Sequence, residues 1–259
     1  MAILLRTNTD ANNFLDAAGI ARTEANGSIV IGICQLTTDL KNYGLWDKMK
    51  AIYPMVGQPD VSSSFQYNLK DPSTFRGTFS GGWIFSSTGA TPDGSTGYMD
   101  TKLNLLSNYS NVLSNHFSVY YRTGDSSNEK IGAQNGSTFS QGMSAHLNWF
   151  GTYYNDNMGR TALDSATYGT SNAMHLSSVT LPSTQKMYRN GILRINGSTD
   201  NSTYPSLNFY FGANNNGTAN SFSSRELAFA SIGDGLTNTE ATNFYTAVQR
   251  FQTTLGRQV

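Results

Sequence analysis

Across most of the chain, apolar residues occur in short runs that are separated by Gly, Asn, Ser and Asp. Short runs with turn residues between them are typical of the strands of a β-sandwich or barrel. The pattern therefore predicts a mainly β protein. Its predicted strands cover residues 83–86, 98–103, 116–122, 144–150, 173–179, 186–189, 192–195, 207–211 and 226–231.

One hairpin is specified by its turn residues. Asn190 and Gly191 separate two runs of strand-forming residues, 186–189 and 192–195. An Asn-Gly pair adopts positive φ at both central positions of a type I′ turn, and this turn matches the right-handed twist of the flanking strands. We therefore expect the two runs to pair as a tight hairpin.

The first 57 residues follow a helical period instead. Apolar residues at positions 29, 33, 36 and 40 form one face of an amphipathic helix, and residues 51–57 predict the beginning of a strand. The apolar stripe has two interpretations: it packs on the chain's own sandwich, or it docks on a partner subunit. The docking interpretation assigns the contact to Ile29, Ile33, Leu36, Leu40, Trp46 and Met49.

A second helix is predicted near the C-terminal end, over residues 238–255. Thr237 and Glu240 have the spacing of a capping box, in which each residue satisfies a backbone N–H of the other. Phe244, Val248 and Phe251 form its apolar stripe. The sequence thus divides into an N-terminal helical segment, 1–57, and a β-domain with a terminal helix, 58–259.

Composition and charge narrow the classes of function. Seventeen basic and seventeen acidic residues give a formal net charge of zero, and Lys and Arg do not cluster along the chain. Nucleic-acid binding needs such clusters, so the sequence argues against it. No stretch of 18 apolar residues occurs, which predicts no membrane span. The apolar run at residues 2–5 is too short for a signal peptide, so we expect synthesis in a cytoplasm without classical secretion.

The acidic residues argue against catalysis. Glycoside hydrolysis needs two carboxyl groups that flank the scissile bond. Of the seventeen acidic residues, only Asp125 and Glu129 lie within four positions of each other. The histidines at 116, 146 and 175 lack the spacing of a zinc site, and no Gly-x-Ser-x-Gly motif occurs. The sequence therefore predicts a non-enzymatic protein without catalytic residues.

Aromatic side chains supply candidates for a glycan site, because a flat ring can stack on the apolar face of a sugar. The alternative is that these rings belong to the sandwich core. The candidates are Trp83, Trp149, Tyr153 and Tyr154.

Calcium is the one candidate cofactor. It takes several oxygen ligands, often from Asn and Asp side chains in loops. The alternative is that the residues concerned are ordinary polar turn residues. The candidate ligands are Asn214, Asn216 and Asp234.

Several segments together resemble the laminin-G and concanavalin-like domains. Residues 94–101 (GSTGYMDT) resemble their opening strand, and residues 117–122 resemble the long strand that follows. The Asn-Gly hairpin, the run at 227–232 and the capped helix after 235 resemble the end of the same domains. The resemblance covers residues 83 to 256 and implies a concanavalin A-like jelly-roll β-sandwich.

The N-terminal segment resembles a narrower group. Residues 43–54 (YGLWDKMKAIYP) and 67–72 (YNLKDP) are similar to a module that precedes this jelly-roll in virion proteins of tailed bacteriophages. That resemblance implies a non-enzymatic virion component, a capsid decoration or head-fibre subunit, which assembles with other virion proteins and with copies of itself. The alternative is a glycan-binding receptor module of the tail or a fibre, with a host-surface glycan as partner. A polysaccharide-degrading enzyme is less favoured.

Overall fold

The computed structural model describes residues 8–57, 61–124, 129–135, 142–149, 152–155, 162–164, 172–181, 184–199 and 203–259. For residues 148–149, 152–155 and 162–164 it describes the backbone alone. The helices are α1 (Thr9–Ala17), α2 (Gly27–Asn42), α3 (Ser62–Phe65), α4 (Leu105–Asn108) and α5 (Asn238–Thr254), and Trp46–Lys48 is a 3-10 turn.

The strands agree closely with the predicted runs, and shorter strands lie between them. They are β1 (Met49–Tyr53), β2 (Thr78–Ser80), β3 (Trp83–Ser86), β4 (Gly89–Pro92), β5 (Tyr98–Asn104), β6 (Asn115–Tyr121), β7 (Lys130–Gln134), β8 (Gly142–Trp149), β9 (Thr152–Asn155), β10 (Ala162–Asp164), β11 (Ala173–Thr180), β12 (Thr184–Arg189), β13 (Ile192–Ser198), β14 (Asn208–Phe211), β15 (Asn214–Asn215), β16 (Ala219–Asn220) and β17 (Leu227–Gly233).

These strands form two sheets. The first sheet has the order β13-β12-β11-β6-β17-β4-β3, and β1 also pairs with β17. The second sheet has the order β10-β9-β8-β7-β14-β5-β2, with β15 and β16 attached beside β7. Neighbouring strands are antiparallel except where β15 runs parallel to β7. The two sheets form the sandwich that the sequence predicts.

The main core lies between the two sheets and follows from the alternation of side chains along each strand. Phe117 of the first sheet packs against Phe209 of the second, with ring centroids 5.2 Å apart. Met99 and Leu103 of β5 are fully buried in the same cluster. Burial of each such side chain contributes roughly 1.5–3 kcal/mol relative to exposure.

A second core lies on the outer face of the first sheet, beneath α1, α2 and α5. We call these three helices the helix layer. Phe244 and Phe251 of α5 contact Phe229 of β17, with ring centroids 6.0 and 6.4 Å apart. Helix α2 packs closely on α5, because a Cβ at Gly32 would lie 3.1 Å from the ring of Phe251. The helix layer therefore covers the central strands of the first sheet, whereas Ile84 of β3 and Ile192 of β13, on the two edge strands, stay exposed.

The predicted docking stripe belongs to this second core. The side chains of this set are fully or largely buried in the chain's own fold, except Ile29, which is partly buried. Because they already contact the first sheet and α5, they cannot also contact a partner while the helices stay docked. The first interpretation of the stripe is therefore the one the structure supports. The set comprises Ile29, Ile33, Leu36, Leu40, Trp46 and Met49.

The N-terminal segment is part of the sandwich rather than an appendage. Strand β1 pairs with β17, so that Ile52 lies opposite Ser231. The guanidinium of Arg257 is buried and donates to the carbonyl oxygens of Pro54, Met55 and Ala228 at 2.6, 2.8 and 2.7 Å. This side chain therefore joins the chain end, the N-terminal segment and the last strand.

Both locally encoded predictions are confirmed. Asn190 and Gly191 have φ of 50° and 74°, and β12 pairs with β13 across them. At α5, Thr237 accepts from the backbone N–H of Glu240, and the Glu240 carboxylate accepts from the backbone N–H of Thr237 at 2.8 Å. In the described part of the chain, no helix is both long and apolar enough to cross a membrane.

Candidate functional site

The two outer faces of the sandwich carry different side chains. The helix layer packs on the first sheet, whereas the outer face of the second sheet carries polar and aromatic residues. Strand β5 shows why: Met99 and Leu103 point into the core, so Tyr98 and Asp100 point away from it. We call the set Tyr98, Asp100, Asn208 and Tyr210 the tyrosine face.

Tyr98 and Tyr210 form the centre of this face. Their rings are stacked, with centroids 4.7 Å apart and planes inclined by 23°. Both side chains are half-buried, so one side of the pair is fixed by packing and the other is accessible. Burial, and then the negative charge of Asp100, raise the pKa of Tyr210, which keeps its hydroxyl protonated at neutral pH. The hydroxyl can therefore both donate and accept hydrogen bonds.

Asp100 is held in place beside the rings. Its carboxylate accepts from the side-chain amide of Asn208 at 3.1 Å and from the backbone N–H and ammonium of Lys102, both at 2.8 Å. Lys102 has φ of 61°, a left-handed conformation that costs a residue with a side chain about 1–2 kcal/mol. Strain of this kind persists where the surroundings fix it, and it is concentrated at functional sites.

Polar residues also lie on this side of the sheet in β7 and β8, beyond β14. Tyr210 lies opposite Gly132, which in turn lies opposite Ser144. On the same side, the Lys130 ammonium donates to the Gln134 side chain at 2.5 Å. Ser144, Lys130 and Gln134 are buried, so they do not extend the accessible surface of the tyrosine face.

The combination of rings, a carboxylate and an amide on the tyrosine face suits the chemistry of sugars. A pyranose or furanose ring has an apolar C–H face that packs on an aromatic ring, and hydroxyls that need hydrogen-bond partners. Carboxylate oxygens accept from hydroxyls, and amides both donate and accept. The tyrosine face supplies all of these groups within one small area.

The structure places the predicted glycan residues as follows. Trp83 lies on β3 at the rim of the core, where its ring centroid is 4.9 Å from that of Phe79. Its Nε1 donates to the Ser80 carbonyl at 3.0 Å. It is therefore mainly a core residue. The side chains of Trp149, Tyr153 and Tyr154 lie outside the described residues. Their backbones belong to β8 and β9 of the second sheet.

The three calcium candidates do not form one site. Asp234 follows the last strand of the first sheet, and its carboxylate lies 3.3 Å from the Lys50 ammonium. Asn214 and Asn216 lie beside the second sheet, where both contact the side-chain amide of Asn220. Within the described residues, no three His, Cys, Asp or Glu side chains are close enough together to hold a metal ion. Asn216 and Asp234 therefore fit the alternative of ordinary polar turn residues, whereas Asn214 is buried in β15.

The tyrosine face was missed by the sequence analysis. Tyr98 and Asp100 alternate with buried residues on β5, as Asn208 and Tyr210 do on β14, which was the available signal. The pair on β5 and the pair on β14 are far apart in the sequence, with 108 positions between Asp100 and Asn208. Only the strand pairing, with Tyr210 opposite Asp100, brings them together.

Comparisons with known proteins agree with this architecture. No protein-family model matches the sequence, and no curated protein matches it. In fold, the chain is similar to domain 4 of an extracellular arabinanase of family GH43 from Geobacillus stearothermophilus, solved in complex with arabinotriose. The TM-score is 0.54 at 17% identity, over 76% of this chain and 98% of that domain.

A second similar structure is the receptor binding domain of a botulinum neurotoxin C/D mosaic serotype. Its TM-score is 0.50 at 12% identity, over 78% of this chain and 51% of the toxin domain, so the chain spans about half of that domain. At these identities the likeness concerns the fold. The chain is a mainly β protein with the jelly-roll sandwich of the concanavalin-like class, as predicted.

Proposed function

We propose that this chain is a non-catalytic glycan-binding module and that the tyrosine face is its binding site. The observation that carries the proposal is the stacked pair of Tyr98 and Tyr210 beside the fixed carboxylate of Asp100. Support also comes from the fold, because the similar arabinanase domain was solved with a bound arabinotriose.

The arrangement favours binding over turnover. The Asp100 carboxylate is occupied by Asn208 and Lys102, so it is an oriented hydrogen-bond acceptor. A general acid for glycoside cleavage must instead donate a proton to the leaving-group oxygen. A binding role requires the pre-organised geometry alone, because fixed side chains lose little entropy on binding.

A glycan array with purified protein tests the proposal, and it should include arabinan fragments. Tyr210→Ala should weaken binding of any retained glycan by about tenfold or more, because a stacking contact is lost. Tyr43→Ala is the matched control, since Tyr43 is an exposed tyrosine outside the second sheet. Equal binding by Tyr210→Ala and the wild type would refute this site. Release of reducing sugar from a bound glycan would refute the non-catalytic part.

The setting of such a module is a second proposal. The segments 43–54 and 67–72, whose sequences resemble phage virion proteins, pack together in the fold. The Lys70 ammonium donates to the Trp46 carbonyl at 2.9 Å, and the Leu69 N–H donates to the Ile52 carbonyl at 2.7 Å. The two segments thus form one structural unit, which supports a common origin for the resemblance.

We accordingly propose that the glycan-binding module is a component of a tailed-phage particle. Labelled antibody and electron microscopy of purified particles test this. Label at the tail or a fibre would favour a receptor role, and label on the capsid a decoration or head-fibre role. Absence of the protein from particles would contradict both.

A further inference from the structure

A cavity next to Trp46 lies outside the tyrosine face, on the side of the molecule that carries the helix layer. It has a volume of about 410 Å³ and is lined by Asp10, Asn13, Trp46, Lys70, Asp71 and Pro72. A smaller recess of about 270 Å³ adjoins the same indole. The larger volume falls within the range of cavities that bind small molecules in proteins.

Three distant segments build the walls, and each is fixed by contacts of its own. The Asp10 carboxylate of α1 accepts from the Lys41 ammonium of α2 at 2.5 Å. The Lys70 ammonium lies 4.7 Å from the centre of the Trp46 ring and donates to the Trp46 carbonyl at 2.9 Å. The indole itself is largely buried in the second core. The cavity is therefore pre-formed.

The polar walls present acceptors and donors in a mixed set. Hydrogen bonds from the Ser73 hydroxyl and backbone N–H lower the pKa of Asp71, so its carboxylate is ionised at neutral pH. Asn13 is exposed at the rim and can donate and accept. Pro72 and the small exposed part of Trp46, which is 9% exposed, add apolar surface. Vicinal hydroxyls on a ring with an apolar face match such a lining.

The charge of the lining selects against anions. Around the indole, three carboxylates (Asp10, Asp47 and Asp71) face two ammonium groups, Lys41 and Lys70. Both ammonium groups also lie near a carboxylate, Lys41 beside Asp10 at 2.5 Å and Lys70 beside Asp47 at 3.6 Å. An acidic sugar would bring a further negative charge to this surface, which raises its energy.

We infer that the Trp46 cavity is a second saccharide site, specific for neutral sugars of one or two rings. The site is independent of the tyrosine face, because the two share no residue and lie on different sides of the sandwich. A module with both sites would hold a glycan chain, or two chains, at two separate positions.

The test uses NMR of the full chain, in which each of the three tryptophans gives an indole N–H signal. Trp46→Phe assigns the signal of Trp46. The probes are arabinose, galactose, glucose, N-acetylglucosamine and lactose, with galacturonic and sialic acids as the anionic arm. We expect at least one neutral sugar to shift the Trp46 signal saturably. The acids should require about tenfold higher concentration or more.

Variants separate this site from the tyrosine face. Asn13→Ala and Asp71→Asn should each weaken the neutral sugar's effect on the Trp46 signal by about fivefold or more. Tyr210→Ala and the distant control Glu24→Gln should leave it unchanged. The inference is overturned if no neutral sugar of the panel shifts the signal, if the acids shift it equally well, or if Asn13→Ala titrates as the wild type does. Comparison of each variant's spectrum with that of the wild type checks that the variant is folded.

Discussion

The two outer faces of this sandwich differ in how their aromatic side chains are covered. On the first sheet, Phe229 lies beneath α5 and is fully buried against Phe244 and Phe251. On the second sheet, Tyr98 and Tyr210 occupy the corresponding outer surface and remain partly exposed. Apolar rings buried under helices lower the free energy of the folded state, whereas the partly exposed Tyr98–Tyr210 pair keeps ring surface that the proposed glycan would cover.

Charged side chains differ between the two faces in the same way. Beneath the helix layer, Arg257 is satisfied by carbonyl oxygens from two segments, so a charge at that place supports the fold. On the tyrosine face, Lys102 holds Asp100 while its own backbone is strained. The first arrangement stabilises the protein, and the second costs stability in order to orient an acceptor.

The largest effect is expected from Phe244→Ala. This ring is fully buried between α5 and the first sheet, so its loss should lower the free energy of unfolding by about 3–5 kcal/mol. Tyr210→Ala, the matched change on the other face, should cost about 1 kcal/mol. Urea unfolding of both variants gives the two values. Similar losses would show that the two faces do not differ in this way.

The second prediction concerns pH and the helix layer. His116 is buried beside Phe244, its Nδ1 donates to the Asp234 carbonyl at 2.6 Å, and burial lowers its pKa to about 4. An unfolded chain takes up this proton near pH 6.5, so below that pH the unfolded state binds more protons. His116 should therefore contribute full stability above about pH 6.5 and lose up to about 3 kcal/mol as the pH falls to 4.

Comparison with His116→Gln isolates that contribution. The difference in unfolding free energy between wild type and variant should be constant above pH 6.5 and shrink steadily toward pH 4. Parallel stability curves over the whole range would mean that His116 is not the group responsible.

A smaller effect is expected at the first turn of α5. Thr237→Ala removes the acceptor for the Glu240 N–H and should cost about 1 kcal/mol. Thr242→Ala, an exposed position of the same helix, should change the stability by less than about 0.5 kcal/mol. Thermal unfolding of the pair checks the contrast, which fails if the two variants melt together.

The smallest change in stability, with the clearest change in function, is expected for Lys102→Gly. Glycine adopts φ of 61° without strain, so relief of strain and loss of the bridge to Asp100 should leave a gain of about 0.5 kcal/mol. Glycan binding should weaken, since Asp100 loses a fixed partner. If this variant binds glycan as well as the wild type, Lys102 does not contribute to binding.

The sequence encodes the local parts of this structure more fully than the distant ones. The Asn190-Gly191 turn and the Thr237–Glu240 capping box could be predicted because their partners lie within a few residues. The stripe of Ile33, Leu36 and Leu40 predicts a helix with one buried face. Its period does not indicate which surface covers that face. A partner within the same chain was as consistent with that pattern as another subunit.

The candidate site was harder to predict for a related reason. Asp100 and Tyr210 become neighbours only through the pairing of β5 with β14, and the register contains a bulge between Asn208 and Tyr210. Asn214 and Asp234 are closer in sequence, yet the chain carries them to different sheets. Residue type and spacing indicate which chemistry a residue can perform, whereas the strand order determines which residues lie close together.

Amide chemical-shift mapping shows directly whether the tyrosine face binds a glycan. The protein is titrated to saturation with the glycan that binds most tightly on the array. We expect the largest shifts to include the backbone amides of Tyr98, Asp100 and Tyr210. Saturable binding that leaves these three amides unmoved would contradict the proposal.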